Sequence, residues 1–327
     1  MLDGYNRQIN YLRISLTDRC NLRCFYCRGV TDFSFIDHSE ILTYEEFLRL
    51  AGLALKLGVD RFRLTGGEPL VRKGAARFVG QINSLPGVKD VSLTTNGILI
   101  EKYISELKEA GLRRINISLD TLDRVKYQKI TGIDGLSQVL SGLELAVGAG
   151  FDPVKVNTVI LRDFNDDGES LSQFINLAFK LPVHLRFIEL MDFSPVKGLF
   201  VSATEILKKL KDSGLIREAE LEPVFVEGSG PAAHHYRLPG MKGTFGFIAP
   251  YSHHFCGACN RLRLTADGQL RTCLFSTRSY DIKAVLRRGA GDEEVIALLK
   301  KALAEKPGSW QETDGQLNGK GLRSVGG

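Results

Sequence analysis

Residues 12–28 read LRISLTDRCNLRCFYCR. The first six alternate apolar and polar side chains, the period of a β-strand. The loop that leaves this strand carries Cys20, Cys24 and Cys27 in a C-x3-C-x2-C array. Three thiolates this close converge on one soft metal centre rather than on separate partners. A structural zinc would want a fourth protein ligand, and no Cys or His lies nearby in the sequence to supply it. A cubane cluster has four irons, so three cysteines leave one iron open to a non-protein ligand.

The same strand period recurs down the chain. Strand-like segments begin at Leu12 (LRISLT), Arg61 (RFRLT), Val91 (VSLTTN), Ile115 (INISLD), Val154 (VKVNTVI) and His184 (HLRFIEL). Helical patterns lie between them, among them Tyr44–Leu57 behind the capping residue Thr43, Ile100–Ala110, Gln138–Ala149 and Glu169–Leu181. Alternation of this kind predicts parallel strands with helices outside. No Gly-rich dinucleotide fingerprint follows the first strand, which disfavours a Rossmann arrangement.

Buried parallel strands are normally apolar on both faces. Here one face carries Arg13, Ser15, Thr17, Arg61, Arg63, Thr65, Ser92, Thr94, Asn96, Asn116, Ser118, Asp120, Lys155, Asn157, His184 and Arg186. With the apolar face turned to the helices, the polar face lines a lumen suited to a polar, anionic ligand. Six βα units fall two short of a closed eight-stranded barrel. The expected fold is therefore α/β, an incomplete (β/α)6 TIM-like barrel over residues 4–200. A smaller C-terminal α+β region, residues 201–327, closes its open side. Barrel chemistry sits at the C-terminal ends of the strands, where the first cysteine triad also falls.

The chain has 327 residues, 43% hydrophobic and 25% charged, the make-up of a soluble globular protein. It has no run of 18 apolar residues, and MLDGYNRQIN lacks an apolar signal region, so a cytoplasmic location with no membrane contact is expected. All six cysteines fall into two triads, Cys20/Cys24/Cys27 and Cys256/Cys259/Cys273, which argues for two metal centres rather than disulfides. The net charge of +5 is mild, and no basic run or aromatic platform points to nucleic acid.

Thr65-Gly66-Gly67-Glu68-Pro69 follows the second strand, and its glycines allow close backbone approach to a ligand. Short strands are expected at Phe245–Ile248, Arg261–Thr265 and Leu270–Leu274, the last two forming a hairpin across Ala266-Asp267-Gly268. The second triad has C-x2-C-x13-C spacing. Zinc stays open there, because His253 or His254 could complete the ligand set. Arg261 and Arg263 share a strand face beside it and suit a phosphate or carboxylate. The pairs His234/His235 and His253/His254 read as surface or packing residues. The end, Gly319–Gly327, has no core-forming pattern.

With GGEP, LTTNG (Leu93–Gly97), RFIELMD, CGACNRLRLTADGQLRTCLF and both triads in view, the chain from about Tyr11 to the end resembles the GTP 3′,8-cyclase family of radical S-adenosylmethionine (SAM) enzymes. The resemblance implies two 4Fe-4S clusters and SAM as cofactors. In that family a 5′-deoxyadenosyl radical from SAM takes the ribose 3′ hydrogen of GTP, and the sugar carbon attacks C8 of guanine. Reduction then gives the 3′,8-cyclised dihydro-GTP, which opens molybdenum cofactor biosynthesis. Carried over by motif, Cys20, Cys24 and Cys27 hold the first cluster, and Tyr26, Gly67, Ser118 and Met191 contact SAM. Cys256, Cys259 and Cys273 hold the second cluster. Arg13, Arg63, Thr94, Lys155, Arg261 and Arg263 contact GTP, with Arg186 as a further contact.

The resemblance also implies a flavodoxin- or ferredoxin-type electron donor, cyclic pyranopterin monophosphate synthase downstream, a homodimer, and a Gly326-Gly327 tail that enters the active site. Arg28-Gly29 stands where the family usually has Met-Pro, and the residues before Leu322 are not the usual Arg-rich run. Two rivals remain at this stage. One is a radical SAM enzyme acting on a peptide; the other is a non-catalytic iron–sulfur or zinc scaffold.

Overall fold

Each strand with one apolar face needs a helix to cover it, and the chain meets that need unit by unit. The computed structural model describes residues 1–27, 35–191, 196, 198–230 and 233–313. Strands β1 (Tyr11–Ser15), β2 (Arg61–Thr65), β3 (Asp90–Thr95), β4 (Arg114–Ser118), β5 (Val154–Ile160) and β6 (Val183–Glu189) pair in parallel in chain order. Between them run α1 (Tyr44–Lys56), α2 (Ala75–Asn83), α3 (Ile100–Glu109), α4 (Arg124–Thr131), α5 (Leu136–Gly148) and α6 (Gly168–Lys180). The start of α1 is set by a capping box: Glu46 N–H donates to Thr43 Oγ1 at 3.2 Å, and Thr43 N–H to Glu46 Oε2 at 2.7 Å. Phe47, Leu50, Ala51 and Ala54 then recur at helical spacing and are buried.

The predicted division of faces is what the strands adopt. Leu12, Ile14, Phe62, Leu64, Leu93, Ile115, Ile117, Val156 and Leu185 all belong to one buried core with the inner faces of the helices. The alternate residues turn to the other side of the sheet.

The rest of the chain supplies α7 (Ala203–Asp212), β7 (Glu222–Val224), β8 (His234–Arg237), β9 (Thr244–Ile248), β10 (Arg261–Leu264), β11 (Gln269–Arg271), β12 (Tyr280–Asp281), α8 (Ile282–Arg287) and α9 (Asp292–Ala304). Its strands do not make a sheet of their own. β10 pairs in parallel with β1, and β9 in parallel with β6, so the order is β12-β11-β10-β1-β2-β3-β4-β5-β6-β9-β8-β7. Eight strands therefore run parallel side by side, six from the βα units and one added at each edge. The hairpin across 266–268 forms as expected. The strand expected over Leu270–Leu274 stops at Arg271, because the next carbonyl, Thr272, is taken by Lys306 Nζ rather than by a neighbouring strand.

The two glycines after β2 are needed by the chain itself. Gly67 N–H donates to Thr17 O at 2.6 Å and Glu68 N–H to Arg19 O at 2.8 Å, which ties this turn to the start of the cysteine loop. A Cβ on Gly67 would stand 2.3 Å from the Arg19 carbonyl oxygen, and one on Gly66, at φ +156°, 2.6 Å from that of Thr17. Backbone cannot yield as a side-chain tip does. Gly67→Ala should therefore cost about 1–3 kcal/mol by overpacking and displace the loop that carries Cys20. Urea unfolding of the iron-free protein checks the first effect and iron bound after reconstitution the second; wild-type values for both would show that the contact is not limiting.

Candidate active site

Side chains from β1 through β6, β9 and β10 line a single cavity of about 350 Å³. The sheet thus curves around a lumen. Cys20, Cys24, Cys27, Cys256, Cys259, Cys273, Tyr26, Gly67, Ser118, Met191, Arg13, Arg63, Thr94, Arg186, Arg261 and Arg263 all line it. Lys155 does not: it is buried, and its Nζ donates to the Glu227 carbonyl. The lumen wall is also less polar than expected, since Val159, Ile188 and Ile248 share it. Arg28-Gly29 and the Gly326-Gly327 end lie outside the described residues.

Register explains the charge. Arg13 pairs with Arg263 on one side and Arg63 on the other, so three arginines stand abreast on β10, β1 and β2. Burial, then Arg263 and Arg63, hold the Arg13 pKa well below its usual value. Burial and Arg261 lower that of Arg263 to about 10. Arg186 is depressed in the same way, by burial and Arg63. Lys155 falls to about 6, through burial first and then Arg186, Arg63 and Arg114.

Two carboxylates, Glu68 and Asp120, line the cavity against seven arginines, and both are already engaged. Glu68 accepts from Leu70 N–H (3.0 Å), Thr95 Oγ1 (2.8 Å) and Asn96 N–H (2.7 Å). Burial still lifts its pKa to about 7 against those donors. Asp120, raised by burial to about 6, accepts from Tyr26 Oη at 2.7 Å and Val159 N–H at 2.9 Å. Several buried polar atoms have no partner among the described residues, including Arg13 Nε, Arg186 Nε and Thr94 Oγ1. A lumen of this kind is complete only with an anion in it.

The first triad is held from three sides. Arg23 and Phe25 N–H donate to Thr131 and Ile130 at the end of α4 (2.7 and 3.1 Å). Tyr26, Ile130, Leu161 and Leu190 form a small apolar cluster that Cys24, Phe25 and Cys27 pack against. Leu22 N–H points at Cys20 Sγ (3.3 Å), as does Asn96 Nδ2 (3.7 Å). Donors aimed at sulfur suit a thiolate that carries a cluster.

At the second triad, Cys256 and Cys259 lie just before β10 and Cys273 just after β11. Phe275, Trp310 and Tyr251 pack together with ring centres 5.3–5.6 Å apart, Tyr251 edge-on to the other two; Phe275 and Trp310 line the cavity with the triad. Burial alone would raise the Cys259 thiol, but Lys306, Arg261 and Arg7 bring it below the usual range. All six cysteines are free of disulfides. Sequence reasoning had passed over Glu68, Asp120 as the anchor of Tyr26, and Asn96. Each stood in a quoted motif, yet what each one bonds to depends on contacts between separate βα units.

The chain is similar to known proteins over its whole length. Residues 14–175 match the model of the Radical SAM superfamily and residues 183–312 that of Molybdenum Cofactor Synthesis C. A GTP 3′,8-cyclase of Moorella thermoacetica is 46% identical over 329 residues, covering 100% of both chains. One of Heliobacterium modesticaldum is 45% identical over 311 residues, 94% of this chain and 93% of its own. The structure of Streptococcus suis SuiB bound to S-adenosylmethionine shares the fold at TM-score 0.62 and 13% identity, over 84% of this chain and 63% of that one. Identity of that order across the whole length shows that this chain belongs to the GTP 3′,8-cyclase family of radical SAM enzymes.

Proposed function

We propose that this protein cyclises GTP to 3′,8-cyclo-7,8-dihydro-GTP, the opening step of molybdenum cofactor biosynthesis, using SAM and two 4Fe-4S clusters. The observation that carries the reading is one lumen with a cysteine triad at each end and the arginine row Arg263–Arg13–Arg63 between them. Cys20, Cys24 and Cys27 would hold the first cluster, and Cys256, Cys259 and Cys273 the second. Among the described residues no three Cys, His, Asp or Glu side chains converge on a point that could hold a single ion.

When bound, the first cluster and SAM supply the electron and the deoxyadenosyl radical; all else is the chain's work. Gly67, Ser118, Tyr26 and Met191 line the same cavity as the first triad and would position SAM. The arginine row, with Thr94 and Arg186, would take the triphosphate and fix the ribose, holding substrate and SAM in near-attack geometry. The apolar members Val159, Ile188 and Ile248 keep water scarce around it. In this reading the barrel is a (β/α)6 unit over residues 4–200, closed by residues 201–327. The enzyme works in the cytoplasm as a homodimer, receives electrons from a flavodoxin or ferredoxin, and passes its product to cyclic pyranopterin monophosphate synthase.

Anaerobic incubation of the reconstituted protein with SAM, GTP and dithionite should give deoxyadenosine together with a cyclised, reduced nucleotide by mass spectrometry. Deoxyadenosine beside unchanged GTP would point to another substrate, and Cys24→Ala should form neither product. Arg263→Ala should lower kcat/KM for GTP by about 10- to 100-fold, the loss of one charge-assisted hydrogen-bonding group, with SAM affinity far less affected. Equal loss for both ligands would remove Arg263 from the triphosphate site.

The depressed Lys155 gives a pH signature. With a pKa of about 6 it is neutral in the empty protein at neutral pH. A triphosphate among Arg63, Arg114 and Arg186 offsets their repulsion and returns the proton. Binding therefore takes up a proton, and GTP affinity should fall by up to about tenfold per unit as pH rises from roughly 7 to 9. Titration calorimetry in two buffers of different ionisation heat measures the uptake. Lys155→Met should abolish it; an uptake unchanged in that variant would assign it to other groups.

A further inference from the structure

Below the second triad two buried cations hold the same stretch of chain, and they differ in one respect. Arg7, 8% exposed, donates through its Nη atoms to the carbonyls of Cys256 (2.9 Å), Gly308 (2.8 Å) and Pro307 (2.6 Å). Its charge is matched by Asp3, whose Oδ2 lies 2.7 Å from Nε. Lys306, 3% exposed, donates to the carbonyls of Arg261 (3.2 Å) and Thr272. Among the described residues it has no carboxylate partner. Burying an ammonium with only two neutral acceptors is unfavourable unless negative charge lies close by.

The two acceptors locate that charge. Arg261 is two residues beyond Cys259, and Thr272 immediately precedes Cys273. One ammonium thus spans the segments that carry two of the three cysteines, while Arg7 ties the segment of the third to residues 307–308. A cluster held by three thiolates is anionic, and its reduction potential follows the charge and hydrogen bonds around it.

We propose that Lys306 is a positioning residue of the second metal centre. It fixes the separation of the Cys259 and Cys273 segments, and its unmatched positive charge raises the centre's reduction potential by favouring the more negative, reduced state. Arg7, neutralised by Asp3, shares the bracing role but not the electrostatic one. The inference rests on the two-cluster reading above.

The test uses the full chain with Cys20, Cys24 and Cys27 replaced by Ala, so that only the second centre can assemble. Iron and sulfide content and an EPR-monitored redox titration are read for this parent and for Lys306→Met and Lys306→Arg in it. Lys306→Met should lower the midpoint potential, or lose the iron altogether, while Lys306→Arg keeps both close to the parent. The same Lys306→Met change in a chain lacking Cys256, Cys259 and Cys273 should leave the first centre's iron content and midpoint unmoved. A Lys306→Met midpoint equal to the parent's, or a Lys306→Arg shift as large as that of Lys306→Met, overturns the proposal. So does loss of the first centre in the reciprocal background, which would mean a general folding defect. A parent that binds no iron and sulfide refutes the two-cluster reading itself, and the inference falls with it.

Discussion

Arginine beside arginine beside arginine, on adjacent parallel strands, is the constraint around which this protein is built. Neighbouring strands lie about 4.8 Å apart, and guanidinium groups that close repel strongly once water is excluded. Burial lowers the pKa of Arg13, Arg63, Arg186 and Arg263, and the neighbouring arginines add to the effect. Glu68 and Asp120 do not relieve it, since their oxygens are spent on Thr95, Asn96, Leu70, Tyr26 and Val159. Those two carboxylates instead join the turn after β2 to the exit of β3, and the cysteine loop to the exit of β4.

Such a lumen can exist only because the reverse face of the same strands is uniformly apolar. Leu12, Ile14, Phe62, Leu64, Ile115, Ile117, Val156 and Leu185 sit at 4% exposure or less, and the helices close over them. One alternation does both jobs. A slip of a single residue in any strand would send an arginine into the core and a leucine into the lumen, so register is specified twice over. Arg13 pairing with both Arg63 and Arg263 is a consequence of that register, not a contact sought for itself.

This is also why so much was legible in the chain before any fold was at hand. Period-two strands, period-3.6 helices and the alternating faces are local properties, and β1 to β6 form where those patterns lie. The pairing of β10 with β1 joins residues about 250 positions apart, and no local period encodes it. Arg261 and Arg263 could be placed beside a metal centre from spacing alone, but their place in the arginine row needed that pairing. Lys155 shows the opposite case. Its alternation points it to the lumen side, yet the Glu227 carbonyl, brought in by a loop from the C-terminal region, takes its side-chain nitrogen and keeps it off the cavity wall. The helix α9 carried a readable signal in Val295, Leu299, Ala302 and Leu303 that had gone unassigned.

The directions of the strands decide how the two triads face each other. Cys20 follows the end of β1, whereas Cys259 precedes the start of β10, and those two strands are parallel and in register from Tyr11 and Arg261 onward. The triads therefore lie at opposite ends of the sheet. Cys273 agrees, because β11 runs antiparallel to β10 and returns the chain to the end where Cys259 sits. A strand rises about 3.3 Å per residue, so roughly the length of a five-residue strand separates the two groups, with the arginine row at mid-height. With a cluster at each triad, as proposed above, the substrate has to be long enough to be touched from both ends. In the reaction proposed above, a nucleoside triphosphate, with its base at one end and its phosphates at the other, has that reach. On that proposal the spacing that the sheet imposes on two sets of three cysteines bears on the size of the substrate, as the arginines bear on its charge.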